Sequence, residues 1–248
     1  MGKLVTMGHY YGVRDDKAYR EHLAGLAKAI PLENNCFCAD NLITWMKQVS
    51  FLDDRELQLA VQATNPDFKE LSISWRTHTV TWAARQCLNI EGDFVEAGVY
   101  RGHTARVVCN LLDFGKLDRT YWLYDLFDAN PDREIQLEGM GSSLYQQVIE
   151  RFADLPNVRV IKGAVPGSFS QGRPEKIAFM HIDMNSAPAE IGALEGLWER
   201  VSPGGIVLLD DFGWAGSTDP QFKAVTAWLR ERGRRVLELP TGQGMAIR

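Results

Sequence analysis

The sequence predicts a doubly wound α/β domain, built on a parallel β-sheet and preceded by a helical region. Beyond about residue 90, short apolar segments rich in Val, Ile, Leu and aromatic residues alternate with segments of helical length. Apolar strands separated by helices are typical of a parallel sheet that is covered on both faces. Near residue 240, two short strands follow each other across a tight turn, and such strands can only pair antiparallel.

The strands and helices of this domain mostly alternate along the predicted sequence. The five parallel strands are predicted at 94–97, 121–124, 158–161, 177–182 and 206–209. Helices are predicted at 103–112, 143–152, 187–201 and 220–232, and the two final strands at 235–238 and 244–247. We therefore expect five parallel strands closed by an antiparallel hairpin, in a domain that spans residues 91–248. The loops 127–142 and 212–220 contain Gly or Pro and are the expected lids.

Residues 1–90 are predicted to form a helical cap and lid region. Apolar residues occur at helical spacing over 17–30, 40–50, 53–63 and 72–88. Trp45, Phe51 and Trp75 supply more aromatic surface than a small region buries by itself, so we expect a homodimer or higher homo-oligomer to cover part of it.

The composition excludes several classes of protein. The net charge is −5, whereas proteins that bind nucleic acids carry a basic surface, so we expect no nucleic-acid partner. The longest apolar segments are far shorter than the ~20 residues of a membrane span, and the first residues do not resemble a secretion signal. Four cysteines do not form a disulfide framework in a chain of this length. A zinc site at Cys36 and Cys38 is not expected, because no second pair of Cys or His residues lies nearby at the spacing of zinc ligands. We expect a cytoplasmic protein without a membrane or nucleic-acid partner.

Acidic residues follow the fourth and fifth predicted strands: Asp183 after one, Asp210 and Asp211 after the other. Ligands of open α/β sheets bind at the carboxyl ends of the strands, and the ends of neighbouring strands lie ~5 Å apart. Carboxylates this close repel one another unless a cation lies between them, and oxygen ligands suit Mg²⁺. The alternative is that they cap a helix and a loop. His181 is two residues before Asp183, so both side chains point to the same face of the strand. His181 is either a base near the site or a buried polar residue.

The turn after the first strand has a distinct pattern. Glu96 precedes Gly98, which allows a tight turn, and Gly102 begins the following helix. The dinucleotide pattern G-x-G-x-x-G is absent, because bulky side chains lie between the two glycines. An acidic residue before the turn suits a ligand with an ammonium group. Asp125 ends the second strand, where an acidic residue commonly binds ribose hydroxyls, although a loop cap is the alternative.

Together these motifs resemble those of the macrocin O-methyltransferase-like (TylF-like) enzymes, which are class I S-adenosylmethionine-dependent methyltransferases. Residues 92–102 resemble their GDFVE-(C/A)-G-V-(W/Y)-R-G signature, and 125–128 resembles their D-x-F ribose loop. Residues 181–185, 202–205 and 209–213 resemble their paired metal strands, and 241–244 resembles their terminal hairpin. The resemblance spans about residues 70–248.

The resemblance implies a Rossmann-like methyltransferase fold and Mg²⁺-assisted transfer of a methyl group from S-adenosylmethionine to a hydroxyl of a sugar or other small metabolite. The implied cofactor-binding residues are Glu96, Gly98, Tyr100, Arg101, Gly102, Asp125, Phe127 and Gly163. The implied metal ligands are Asp183, Asp210 and Asp211, and the candidate catalytic residues are His181, Asp183 and Asp211.

One position departs from the family pattern. Its sugar methyltransferases carry a general-base Asp two residues after the first metal Asp, whereas this chain has Asn185, which cannot take a proton. His181 is the first replacement base and Asp211 the second, or acidification of the hydroxyl by the metal suffices. The sequence is also compatible with N- or C-methylation by the same cofactor, and with a non-catalytic binding module on this fold.

Overall fold

The computed structural model describes residues 4–6, 10–30, 36–128, 139, 141–216 and 218–248. The chain divides into two compact units, Met1–His78 and Thr79–Arg248. Most of the predicted lid at 127–142 lies outside the described residues, as does residue 217 of the second predicted lid. Within the described part, no helix combines the length and the apolar character needed to cross a membrane.

The first unit combines helices with a small sheet. Strand β1 (Leu4–Thr6) pairs parallel with β2 (Cys36–Ala39), which pairs antiparallel with β3 (Leu42–Trp45). The helices are α1 (Asp16–Ala29), α2 (Arg55–Gln62), α3 (Phe68–Ser72) and α4 (Ser74–Gln86), the last of which continues into the second unit. A buried ion pair between Arg76 and Asp40, 2.7 Å from Nε to Oδ2, ties α4 to the β2–β3 turn.

The predicted helix at 40–50 is therefore wrong, and residues 1–90 are only partly helical. Asp40 and Asn41 both have positive φ angles, 52° and 57°, which is the conformation of a tight two-residue hairpin turn. The following Leu-Ile-Thr-Trp segment is β-branched and aromatic, so it pairs as a strand. Phe51 is buried against Trp75, whereas Trp45 is 51% exposed. The cap role, the domain boundary at residue 90 and the homo-oligomer stay predictions.

The second unit contains a seven-stranded sheet. Its strands are β4 (Asp93–Ala97), β5 (Tyr121–Asp125), β6 (Val158–Lys162), β7 (Ile177–Ile182), β8 (Val201–Leu209), β9 (Leu237–Glu238) and β10 (Gly244–Ile247). Their order is β6-β5-β4-β7-β8-β10-β9, in which the first five are parallel and β10 pairs antiparallel with both neighbours. The predicted α/β fold, with five parallel strands and a closing hairpin, is confirmed.

Helices α5 (His103–Leu112), α6 (Ser142–Arg151), α7 (Ala187–Leu197) and α8 (Asp219–Glu231) connect these strands, close to their predicted positions. Two separate buried clusters form the core. One contains residues of α7 and α8, for example Leu194 and Val225. The other contains residues of α5 and α6, for example Val108 and Val148. The alternation of side chains along each strand supplies both clusters. All four cysteines are buried and unbridged, as expected from the sequence.

Strand register sets the position of the candidate site. Ala97, Ile182 and Leu209 are aligned across β4, β7 and β8, so the three strands end at the same level. The backbone N–H of Asp183 donates to the carbonyl of Ala97 (2.8 Å), and that of Asp210 donates to the carbonyl of Ile182 (2.9 Å). The polar residues that follow these strands therefore meet at one edge of the sheet, where ligands of such folds bind.

Candidate active site

The turn after β4 lies directly against the end of β7. Gly98 has a φ of +91°, and a Cβ atom on it would lie 1.7 Å from the carbonyl oxygen of Asp183. No side chain fits there, so the glycine is required by the close approach of two backbones as well as by its φ angle. Gly102, with a φ of +73°, begins α5 next to the ring of Phe152.

Asp125 holds this turn from the neighbouring strand. Its Oδ2 accepts hydrogen bonds from the backbone N–H groups of Val99 and Tyr100, and its Oδ1 accepts one from Phe127, each at 2.8 Å. The residue is 2% exposed, and these bonds engage both of its carboxylate oxygens. The loop-cap interpretation describes these contacts. A further contact with a ribose stays a prediction.

The remaining predicted cofactor-binding residues surround this turn at the same sheet edge. The guanidinium of Arg101 lies over the ring of Tyr100, 5.1 Å from its centroid. The side chain of Phe127 is fully buried and packs against Tyr145. Gly163 follows β6 with a φ of +149° and donates to the carbonyl of Asp125 at 2.9 Å. Their contacts with a cofactor stay predictions.

The three aspartates meet as the sequence predicted. Asp183, Asp210 and Asp211 each offer a carboxylate oxygen within 4.8 Å of the others. Asp210 is buried and the other two are half-buried. The donor set is all oxygen, which suits a hard divalent cation. Oxygens on opposite sides of Mg²⁺ lie about 4.2 Å apart, which is close to the spacing found here, and metal binding by the three aspartates stays a prediction.

His181 is enclosed between two carboxylates. Its Nδ1 lies 3.1 Å from Oε2 of Glu96, and its Nε2 lies 3.4 Å from Oδ1 of Asp210. Burial lowers the pKa of the imidazole, but the hydrogen bonds to Asp210 and Glu96 and the two charges outweigh it and raise the pKa well above its usual value. Of the two interpretations left open by the sequence, the structure shows a buried polar residue, and a role as base stays a prediction.

Glu96 has partners within the sheet on both sides. The hydroxyl of Tyr121 donates to its Oε2 at 3.3 Å, the same oxygen that contacts His181. With 1% of its surface exposed, Glu96 is a member of a buried polar group. A contact with the cofactor's ammonium group stays a prediction.

Sequence reasoning gave no role to Gln243 and Thr241 beyond their place in the terminal hairpin. Nε2 of Gln243 donates to Oδ1 of Asp210 at 2.8 Å, and Oγ1 of Thr241 donates to Oε1 of Gln243 at 2.9 Å. Both residues are buried. The sequence placed both residues in the terminal hairpin, but the strand order β8-β10-β9, which brings this turn beside Asp210, could not be predicted from it.

Asn185 lies in the loop between β7 and α7, two residues beyond Asp183. It has a φ of 52° and is 5% exposed. Asn and Asp are the residues that adopt this left-handed conformation most readily after Gly. The backbone at this position is therefore equally suited to the Asp of the family pattern.

Comparison with known proteins agrees with this architecture. The family described as macrocin-O-methyltransferase (TylF) matches residues 78–233. A tetracenomycin derivative 4'-O-methyltransferase from Streptomyces olivaceus is 30% identical over 140 residues, which is 50% of this chain and 54% of that protein. The mycinamicin III 3''-O-methyltransferase of Micromonospora griseorubida is 28% identical, over 54% of this chain and 60% of its own. The chain thus matches little more than half the length of these relatives.

Two solved structures share the fold. The calicheamicin methyltransferase CalS11 superposes with a TM-score of 0.58 at 14% identity, covering 100% of this chain and 98% of its own. The O-methyltransferase NovP gives a TM-score of 0.56 at 21% identity, covering 70% and 79%. Since the matched family region covers more than half of the chain, this protein belongs to the macrocin O-methyltransferase (TylF) family.

Proposed function

We propose that the chain is an S-adenosylmethionine-dependent O-methyltransferase that acts on a hydroxyl group of a sugar or another small natural product. The observation that carries the proposal is the contact between Gly98 and Asp183. It joins the turn expected to hold the cofactor to the carboxylates expected to hold the acceptor. The relatives support the acceptor class, since their names describe O-methylation of natural products.

In this proposal the glycine turn binds the cofactor. Asp125 fixes the backbone of Val99 and Tyr100, so the turn is organised before the ligand arrives. The expected contacts are made by Glu96, Gly98, Tyr100, Arg101, Gly102, Asp125, Phe127 and Gly163. A turn that is already ordered loses little freedom when it binds, which favours affinity.

Asp183, Asp210 and Asp211 would hold a divalent cation of the Mg²⁺ type, as their all-oxygen donor set allows. Such a cation would supply Lewis acidity, which lowers the pKa of an acceptor hydroxyl. By holding the cation, the three carboxylates would determine where that hydroxyl lies. The bond from sulfur to the methyl carbon breaks as the bond from oxygen forms, which leaves S-adenosylhomocysteine.

The hydroxyl proton must also be removed. Asn185 cannot accept it, and both ring nitrogens of His181 already contact carboxylates. We assign its removal to Asp211, a half-buried carboxylate of the cluster. N- or C-methylation of a small molecule is a second candidate function, favoured by Asn185 alone, because such reactions do not depend on the same base.

Isothermal titration tests the proposal. S-adenosylmethionine is titrated with and without Mg²⁺ into the wild-type protein, Asp210→Asn and the control Asp113→Asn, which changes an exposed residue. We expect saturable cofactor binding by all three proteins. We expect a heat of Mg²⁺ binding from wild type and Asp113→Asn, and none from Asp210→Asn. Methyl transfer to glycosylated acceptors then identifies the methylated atom. Cofactor binding without Mg²⁺ binding would favour the second candidate, and absence of both would leave a binding module.

A further inference from the structure

A row of buried polar side chains crosses the sheet beneath the candidate site. In spatial order it consists of Tyr121 on β5, Glu96 on β4, His181 on β7, Asp210 after β8, and Gln243 in the β9–β10 turn. Each is at most 6% exposed. Its member on β4, Glu96, lies two residues before Gly98. Its member Asp210 is one of the three clustered aspartates.

Two members of the row contact the same oxygen of Asp210. Nε2 of His181 lies 3.4 Å from Oδ1, and Nε2 of Gln243 lies 2.8 Å from it. These contacts come from opposite neighbours, since β8 pairs with β7 on one side and β10 on the other. Rotation of the carboxylate about its Cβ–Cγ bond would break both contacts. Residues outside the carboxylate cluster therefore contribute to its orientation.

His181 and Gln243 are themselves held in place. Nδ1 of His181 contacts Glu96 at 3.1 Å, and Oε1 of Gln243 accepts from the hydroxyl of Thr241 at 2.9 Å. A buried amide or imidazole with one contact could turn toward another partner, whereas a second contact on the far side fixes the ring or amide plane. The row thus supports Asp210 from both sides.

We propose that His181 and Gln243 are positioning residues that hold the carboxylate of Asp210 in the orientation in which it binds the divalent cation. This inference rests on the proposed function, because it requires that Asp210 be a metal ligand. Hydrogen bonds that orient a metal ligand commonly change metal affinity by about 10- to 100-fold when they are removed.

A matched pair of substitutions separates the two contacts of His181. The amide nitrogen of Asn can occupy the place of Nδ1, so His181→Asn keeps a donor toward Glu96 and loses the one toward Asp210. The amide nitrogen of Gln can occupy the place of Nε2, so His181→Gln keeps the donor toward Asp210. Gln243→Met removes the second donor with little change of volume. Tyr121→Phe removes a buried hydroxyl from the far end of the row and serves as control.

The measurement is Mn²⁺ affinity, read from the electron paramagnetic resonance signal of the free ion, with thermal unfolding recorded for every variant without metal. We expect His181→Asn and Gln243→Met to bind Mn²⁺ roughly 10- to 100-fold more weakly than wild type. Tyr121→Phe should stay within about threefold of wild type, a difference of less than 1 kcal/mol. His181→Gln, which keeps the contact with Asp210 and loses the one with Glu96, should bind Mn²⁺ more tightly than His181→Asn. A purely structural role would instead make affinity follow loss of stability, whichever contact is removed.

The possible outcomes distinguish failure of the positioning role from failure of the proposed metal site. If wild type binds Mn²⁺ and folded His181→Asn and Gln243→Met bind it equally well, the positioning role is wrong and the metal site stands. If His181→Gln loses affinity as His181→Asn does, the contact with Asp210 is not what matters, and the inference is again overturned. If wild type binds no Mn²⁺, the proposed metal site and the positioning role fail together.

Discussion

The backbone of Gly98 lies directly against the carbonyl group of Asp183, with no room for a side chain between them. The two residues follow neighbouring parallel strands, β4 and β7, and each belongs to a different part of the candidate site. This contact fixes the distance between the expected cofactor turn and the carboxylate cluster. A change at either residue is therefore expected to disturb both.

Gly98→Ala should destabilise the protein by roughly 2–4 kcal/mol, because it combines a positive φ with overlap on the Asp183 carbonyl. Urea unfolding measures the free energy change. Gly167→Ala is the matched control, since a Cβ there meets nothing within 4 Å. Equal stability of the two variants would show that the β4 turn does not approach β7 as described.

Asp125→Asn should weaken both stability and cofactor binding. An amide nitrogen cannot accept the backbone hydrogen bonds that the carboxylate receives, so we expect a loss of about 1–3 kcal/mol. Without these hydrogen bonds the turn at 98–100 should lose its order. We therefore expect S-adenosylmethionine to bind roughly tenfold more weakly, a difference of 1.4 kcal/mol. Unfolding and titration calorimetry measure the two effects.

Asp93→Asn is the control for this variant. Asp93 also accepts two hydrogen bonds at 2.8 Å, from the Thr120 N–H and the Trp122 indole, but it lies at the opposite ends of the strands. It should lose similar stability and keep cofactor affinity. Loss of affinity in both variants would mean that Asp125 has no specific role in the turn.

Asp211→Asn should abolish the stabilisation of the protein by metal. Mg²⁺ at about 100 times its Kd is expected to raise the free energy of unfolding of wild type by about 2.7 kcal/mol, because it binds the native state. The variant should lose this gain. In a chelator it should be at least as stable as wild type, since three clustered carboxylates repel one another without a cation.

Thermal unfolding in EDTA and in Mg²⁺ measures both parts of this prediction. Asp113→Asn should retain the Mg²⁺ gain. An Mg²⁺ gain that survives in Asp211→Asn would remove this residue from the metal ligands.

Asn185→Asp should accelerate O-methylation, because a carboxylate at this position would not also have to hold the cation, as Asp211 is proposed to do. The φ of 52° suits Asp as well as Asn, so the variant is expected to fold normally. A positioned base contributes about 10²-fold or more to such reactions, and a rise in kcat of that order is expected with a glycosylated acceptor that the wild type methylates. Asn185→Ala, which adds no base, should show no gain. A fall in kcat for both variants would show that the amide itself is used.

The sheet was predictable because its central strands are almost wholly buried, so their near-continuous apolar runs differ clearly from the helical segments between them. The meeting of Asp183 with Asp210 and Asp211 followed from strand ends alone. The 40–50 segment was not predictable in the same way. Its strand, Leu42–Trp45, has only four residues, which is too short to show whether the period is that of a helix or a strand. The tight turn at Asp40 and Asn41 decided it locally.

The contacts within the site were beyond sequence reasoning for a different reason. Whether Asp125 faces a ligand or caps the turn depends on side-chain torsions and on the path of residues 98–100. Whether His181 faces a cavity or the interior depends on which strands flank β7. The importance of Gln243 depends on β10 lying beside β8, and its sequence neighbourhood alone does not reveal which carboxylate it reaches.

The strand order also determines when during folding the site can form. Asp210 is contacted by Gln243, 33 residues further along the chain, and His181 by Glu96, 85 residues earlier. Pairings between such distant residues form slowly, since the loop between them must close first. Until β10 inserts between β8 and β9, Asp210 lacks its contact with Gln243. A partly folded or newly synthesised chain therefore lacks the organised carboxylate cluster, and a divalent cation that binds this cluster as proposed would bind only after the whole sheet is complete.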